Sequence, residues 1–142
     1  MKTILVPIDI SNPDPDGTAL GLARGLAATE GGKIVLLSVI EQVPDFVAAH
    51  IPPDFHDKVL SETAARLEEI AGQHGLADNT EIVVRDGHPS TKILEYAGAI
   101  GADMIVIASH DPAPIDYLLG SVAARVARHA HCSVLIVRKR ES

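Results

Sequence analysis

Cysteine occurs once in the 142 residues, at Cys132, and tryptophan not at all. A single thiol excludes an intrachain disulfide and fits a reducing compartment. Aromatic residues make up only 3%, so the core has to be assembled from Ala, Val, Ile and Leu. The chain is nonetheless 46% hydrophobic, which predicts a folded state rather than disorder. Positive charge is scarce as well: 12 Lys and Arg stand against 19 Asp and Glu, for a net charge of -7. An acidic surface opposes nucleic-acid backbones and anionic membranes as partners, and the cluster Arg138-Lys139-Arg140 is too short to reverse that. Long apolar runs are missing too. Ile4-Leu5-Val6 meets Pro7 and Asp9 at once, which makes neither a signal peptide nor a membrane span, so a cytoplasmic location is expected. There is no GxGxxG and no GxxxxGK[ST], hence no support for a dinucleotide fold or a Walker NTPase.

What is present is a regular alternation of strand and helix signals. Thr3 to Ile8 is a short apolar run that ends in the turn-forming stretch Ser11 to Gly17, where Asp16 is expected to cap a helix. Leu20, Ala23 and Ala27 follow at helical spacing until Gly31-Gly32, and Gly21-x-x-x-Gly25 reads as close packing of that helix on the sheet. Lys33 to Ile40 is a continuous apolar run, the mark of a strand covered on both faces. In Glu41 to Pro53, Pro44, Pro52 and Pro53 argue against a regular helix, while Phe46, Ile51 and Phe55 suggest either loop packing or a cover for a ligand or partner. Asp54 opens a helix with the apolar stripe Val59, Ala64, Leu67 and Ile70. Glu81 to Arg85, a helix containing Ile93, Leu94 and Ala97, Met104 to Ile107, a helix from Gly120-Ser121 to about His131, and Ser133 to Arg138 complete the pattern.

This order predicts one α/β domain over residues 1–142. It is a single doubly wound, Rossmann-like unit: a five-stranded parallel sheet with strand order 3-2-1-4-5 and helices on both faces. Pro7 cannot donate to a ladder and belongs at the last pairing of its strand. Ligands of such sheets bind outside the carboxyl ends of the strands where the winding reverses. That places Asp9 beside the segment Ala108 to Ser121.

The segment Met104 to Arg138 is the most informative. A buried strand leads through Ala108-Ser109-His110 and the break Asp111-Pro112-Ala113-Pro114 to a Gly120-Ser121 helix start. Free backbone N–H groups and the positive end of the helix dipole suit an incoming phosphate there. Other readings of these residues are weaker. Ser109-His110-Asp111 spells a catalytic triad, but neighbours leaving a strand alternate in direction and do not converge. His110 reads better as a donor near phosphate than as a general base. Asp9 lacks the acidic neighbours and the lysine of a phospho-acceptor site. His129, His131 and Cys132 are soft ligands without a further pair at zinc spacing, and sit more simply at a helix C-terminus. No catalytic residue and no metal ligand is assigned.

The opening TILVPIDIS, the strand LLSVIE, the turn GHPSTKIL and the tail IASH…YLLGSVAARVARHAHCSVLIVR together resemble the universal stress protein family over essentially the whole length. The tail is the specific part, and it is similar to the small bacterial F/G-type subgroup with an ASH-plus-proline loop. The resemblance implies a commonly homodimeric five-stranded α/β sandwich, in which many members bind ATP or ADP at the carboxyl ends of the first and fourth strands. Carried over, Pro7, Ile8 and Asp9 border the adenosine, with Asp9 accepting from a ribose hydroxyl. Val39 offers backbone groups to the adenine. Ala108, Ser109 and His110 begin the phosphate loop, and Gly120, Ser121 and Val122 close on the phosphates. The two loop glycines of the ATP-binding pattern fall on Ala108 and Asp111, and the loop is one residue shorter. A carboxylate about 4 Å from a phosphate charge costs roughly 4 kcal/mol at an effective dielectric of about 20, whereas a helix end returns only about 0.3–2 kcal/mol. Asp111 therefore points away, reaches phosphate through Mg²⁺, or weakens binding; the stiff course set by Pro112 and Pro114 favours the first two.

The last strand, with Val134, Ile136 and Arg138 on one side, is expected at a sheet edge, where pairing with a second copy would give a twofold homodimer. Two functions follow. One is a nucleotide-responsive stress module binding ATP or ADP with Mg²⁺. It has no base aligned on an attacking water and thus at most slow hydrolysis or autophosphorylation. The other is a dimeric interaction protein whose nucleotide site is weak or vestigial. A flavin or adenylate-transfer enzyme on a related scaffold has less support, since no catalytic pair is visible.

Overall fold

A computed structural model describes residues 3–10, 14–41, 45–76, 79–109 and 120–138. Along the chain come β1 (Thr3–Pro7), α1 (Asp14–Glu30), β2 (Lys33–Ile40), α2 (Asp45–Ala48) and α3 (Phe55–Gln73). They are followed by β3 (Glu81–Asp86), α4 (Pro89–Ile100), β4 (Met104–Ala108), α5 (Ser121–His129) and β5 (Ser133–Val137). All strand pairs are parallel and the sheet order is β3-β2-β1-β4-β5, the doubly wound arrangement expected.

Strand composition explains who sits in the middle. Apart from Ser38 in β2, the central positions of β1, β2 and β4 are apolar and nearly all of those residues are buried, as a strand covered on both faces requires. β3 and β5 keep partly exposed residues and lie at the two edges. Alternation along each strand then divides the core in two. Ile4, Val6, Ile34 and Leu36 pack with Leu20 and Ala23 of α1 and with Leu67 and Ile70 of α3. Leu5, Val35, Leu37 and Ile105 pack with Ile93 of α4 and Val126 of α5 on the other side.

Pro7 shapes the carboxyl edge. The Ile8 N–H donates to the Leu37 carbonyl at 2.8 Å, so even-numbered residues of β1 direct their N–H groups toward β2 and the Pro7 nitrogen faces β4. Having no hydrogen to give, it ends that ladder. β1 pairs with β2 as far as Pro7↔Leu37, but its register with β4 runs only over Ile4↔Met104 and Leu5↔Ile105. The opposite end of the same strand pair is fastened: Thr3 N–H donates to the Asp103 carboxylate at 2.7 Å, and Asp103 N–H to the Thr3 carbonyl at 2.9 Å.

Three local expectations need correction. α1 begins at Asp14, so Asp16 lies within its first turn rather than before it. The proline-bounded stretch after β2 contains α2, a single four-residue turn, because residues 45–48 carry no proline and one turn fits between those at 44 and 52. Gly21 and Gly25 do not pack on the sheet; both are exposed, and a Cβ on either would meet nothing within 4 Å. The sheet-facing side of α1 is instead Ala19, Leu20, Ala23 and Ala27. Among the described residues no helix is long and apolar enough to cross a membrane.

Candidate functional site

Where β1 and β4 part, a crevice of about 510 Å³ opens over the carboxyl edge of the sheet, within the roughly 300–1,000 Å³ usual for small-molecule sites. The sequence-derived residues Pro7, Ile8, Asp9, Val39, Ala108, Gly120, Ser121 and Val122 all line it. Pro7, Ile8, Ala108 and Gly120 are buried and form its floor, while Asp9 and Ser121 stand exposed. His110 and Asp111 lie outside the described residues.

The α5 start forms one wall. The first intrahelical bond of α5 runs from the Ala124 N–H to the Gly120 carbonyl at 2.9 Å. The N–H groups of Ser121, Val122 and Ala123 belong to the first turn, whose amides an α-helix leaves without intrahelical partners, and all three residues line the crevice. Arg128 and His129 occupy the last turn of α5, so the side chains complement the dipole at that end and leave its positive end to the crevice. The Ser121 hydroxyl, the first-turn amides and the partial positive charge of the helix end are a donor set for phosphate or another anion.

Ser109 has a different place from the one expected. It is absent from the crevice lining. Its N–H donates to the Val137 carbonyl at 2.9 Å, and its Oγ accepts from the Gly120 N–H at 3.0 Å. Ser109 therefore positions the helix start, while Gly120 presents its backbone to the crevice.

Several lining residues were not assigned to a site from the sequence, among them Ser38, Val59, Thr63, Pro89 and Ile93. Thr63 was findable. It falls on the buried stripe of α3 between Val59 and Leu67, and with Leu67 and Ile70 it is one of that helix's buried residues. Ala64, expected on the stripe, is only partly buried. Ser38 interrupts the apolar run of β2 and is likewise buried. Among the described residues no group of three or more His, Cys, Asp or Glu is placed to hold a metal ion. His129 ends α5 and Cys132 is a partly buried free thiol. Burial pushes that thiol's pKa up, opposed by a backbone hydrogen bond and reinforced by the Asp103 carboxylate.

A family model described as Universal stress protein family matches residues 1–138. Universal stress protein A homolog 2 of Coxiella burnetii is 33% identical over 140 residues, covering 96% of this chain and 94% of its own. Universal stress protein G of Escherichia coli O157:H7 is 33% identical over 142 residues, covering 96% and 99%. A universal stress protein solved in complex with cAMP superposes with a TM-score of 0.69 at 24% identity, covering 96% of each chain.

Proposed function

The chain belongs to the universal stress protein family, and within it we propose that this protein is a nucleotide-responsive module. It takes ATP or ADP, with Mg²⁺ on the phosphates, into the crevice at the carboxyl ends of β1 and β4. The observation that carries this reading is the α5 helix start facing a crevice of nucleotide-compatible size, with Asp9 exposed at the rim and Val39 on the same lining. In the proposed arrangement Asp9 accepts from the ribose and the Ser121, Val122 and Ala123 amides receive the phosphates. His110 and Ser109 begin the loop between them, with Ser109 acting through Gly120. That a family structure holds cAMP adds a related ligand to compare. The outer edge of β5, which among the described residues pairs only with β4, is proposed as the homodimer contact through Val134, Ile136 and Arg138, in a cytoplasmic protein.

The chemistry ends at binding. Asp9 and Ser121 line the crevice, the sequence offers no base aligned on an attacking water, and any hydrolysis or autophosphorylation would be slow. A second reading, a dimeric interaction protein with a vestigial site, is favoured by one feature of the sequence, the carboxylate of Asp111 where ATP-binding relatives would have a loop glycine. Calorimetric titration with ATP, ADP and cAMP, with and without Mg²⁺, separates the two. Saturable binding at sub-millimolar concentration supports the nucleotide module. Absence of binding to all three, together with no adenine nucleotide released from the purified protein on heat denaturation, supports the interaction protein.

A further inference from the structure

The chain has only two phenylalanines, and neither is in the core. Phe46 of α2 is 74% exposed and Phe55, the first residue of α3, is 46% exposed. One apolar side chain in water is ordinary, but these two bound a continuous stretch. Residues 46–53 contain no Asp, Glu, Lys or Arg, and Val47, Ala49, Pro52 and Pro53 are exposed between the two rings. The stretch is held in shape. The His50 N–H donates to the Val47 carbonyl and the Phe55 N–H to the Pro52 carbonyl, both at 3.0 Å, and each proline fixes its own φ. An ordered segment that keeps its largest apolar side chains outward forgoes the gain of burying them. It also leaves little ordering to be done when a partner arrives. Such a patch marks a contact surface.

Its place in the fold is defined. Phe55, Val59 and Thr63 recur every four residues along one stripe of α3. Thr63 is buried and Val59 lines the crevice, so Phe55 stands one turn outside the mouth. His56 Nε2 lies 3.1 Å from an Asp86 carboxylate oxygen, fastening this end of α3 to the end of β3. β3 and β5 are opposite edges of the sheet, and the homodimer contact proposed at β5 therefore leaves the patch uncovered.

Charge selects the occupant. Glu41, Asp54, Asp57 and Glu62 flank the stretch in the chain and are exposed. Among the described residues none of the four has an ion-pair partner, and Lys58 is the one Lys or Arg between Glu41 and Glu62. A second copy with its net charge of -7, an anionic membrane or a nucleic acid would each bring more negative charge to this rim. We propose that the patch docks a basic amphipathic segment of another protein. Its apolar side chains cover Phe46 and Phe55, and its Lys or Arg residues meet the acidic rim. The inference is independent of whether the crevice holds a nucleotide.

The probe is a fluorescein-labelled peptide of about 18 residues made of Leu, Lys and a Trp, with its apolar residues on one helical face. Two controls accompany it: the same composition with the apolar residues spread all round, and the same order with Glu for every Lys. Fluorescence anisotropy is expected to show saturable binding of the basic amphipathic peptide and at least about tenfold weaker binding of both controls. Phe46→Ser and Phe55→Ser should each weaken the probe by about five- to tenfold without lowering the melting temperature by more than about a few degrees. Asp54→Asn with Asp57→Asn should weaken it and flatten its salt dependence. Glu68→Gln with Glu69→Gln, which removes as many charges farther along α3, should leave it unchanged. If Phe55→Ser melts much lower, the more exposed Phe46 carries the comparison. Equal binding of all three peptides, or wild-type affinity in Phe46→Ser, overturns the proposal. Self-association of the wild type that Phe46→Ser abolishes would mean that a second copy covers the patch, and overturns it equally.

Discussion

The backbone N–H of Gly120 donates to the Oγ of Ser109 across 3.0 Å, tying together residues eleven positions apart. Gly120 immediately precedes α5 and is buried, so the serine does from a distance what a capping side chain does locally. The far end of β4 and the start of α5 are thereby held in one geometry on the crevice floor. Ser109→Ala leaves that buried amide unpaired and is expected to cost about 1–2 kcal/mol in urea unfolding. Ser109→Thr keeps the acceptor and should recover most of it. Equal stability of the alanine variant and the wild type would show that the bond contributes nothing.

Ser121 separates the demands of the helix from those of a bound anion. A carboxylate in the first turn of α5 favours the helix by about 0.3–1 kcal/mol. The same carboxylate about 4 Å from a phosphate charge opposes it by several kcal/mol at an effective dielectric of about 20. Ser121→Asp is therefore expected to raise the unfolding free energy slightly while weakening ATP by more than tenfold. Calorimetry beside a thermal melt reads both signs; unchanged ATP affinity would place the phosphates elsewhere.

The glycines divide by backbone conformation. Gly21 and Gly25 are helical, exposed and without a neighbour that a Cβ would touch. Ala at either should stabilise by about 0.5–1 kcal/mol. Gly101 is different. It ends α4 with a φ of 63° in the left-handed region, and its N–H donates to the Gly98 carbonyl. Gly101→Ala should cost about 1 kcal/mol. Denaturant midpoints of the three single variants give the comparison, and a destabilising Gly25→Ala would contradict the open surface around α1.

The parts legible in the sequence were those written by burial on both sides. The short runs Ile4–Val6, Ile34–Leu37 and Met104–Ile107, each bounded by turn residues, read as strands covered on both faces, and one proline placed the end of β1. The crevice rim was legible for the same reason, since strand ends and a Gly-Ser helix start are local signals. Less local features escaped. A capping bond from Ser109 to Gly120 depends on a loop bringing them together, which no periodicity records. The polarity of Thr63 hid a core position, because a stripe drawn from apolar residues passes over a hydroxyl. Gly21 and Gly25 misled because small residues at helical spacing mark close packing only when they face a neighbour, and here the alanines between and around them face it instead.

Cys132 lies beside the β1–β4 fastening made by Asp103 and Thr3. Burial raises its thiol pKa above the ordinary value, a backbone hydrogen bond lowers it in part, and the Asp103 carboxylate raises it further. The thiolate is the reactive form, so Cys132 should react with a disulfide reagent more slowly at neutral pH than a free cysteine does. The midpoint of its pH–rate profile should lie higher. Asp103→Asn removes the opposing charge and should bring that midpoint down. The linkage has a definite sign. In the folded protein the thiol keeps its proton to higher pH than in the unfolded chain, so the unfolded state binds fewer protons across the interval between the two pKa values. Stability is then lost as pH rises through that interval, and Cys132→Ser should flatten the decline. A profile with its midpoint below that of free cysteine would mean that the thiol sits in a more open or more positive setting than the fold provides.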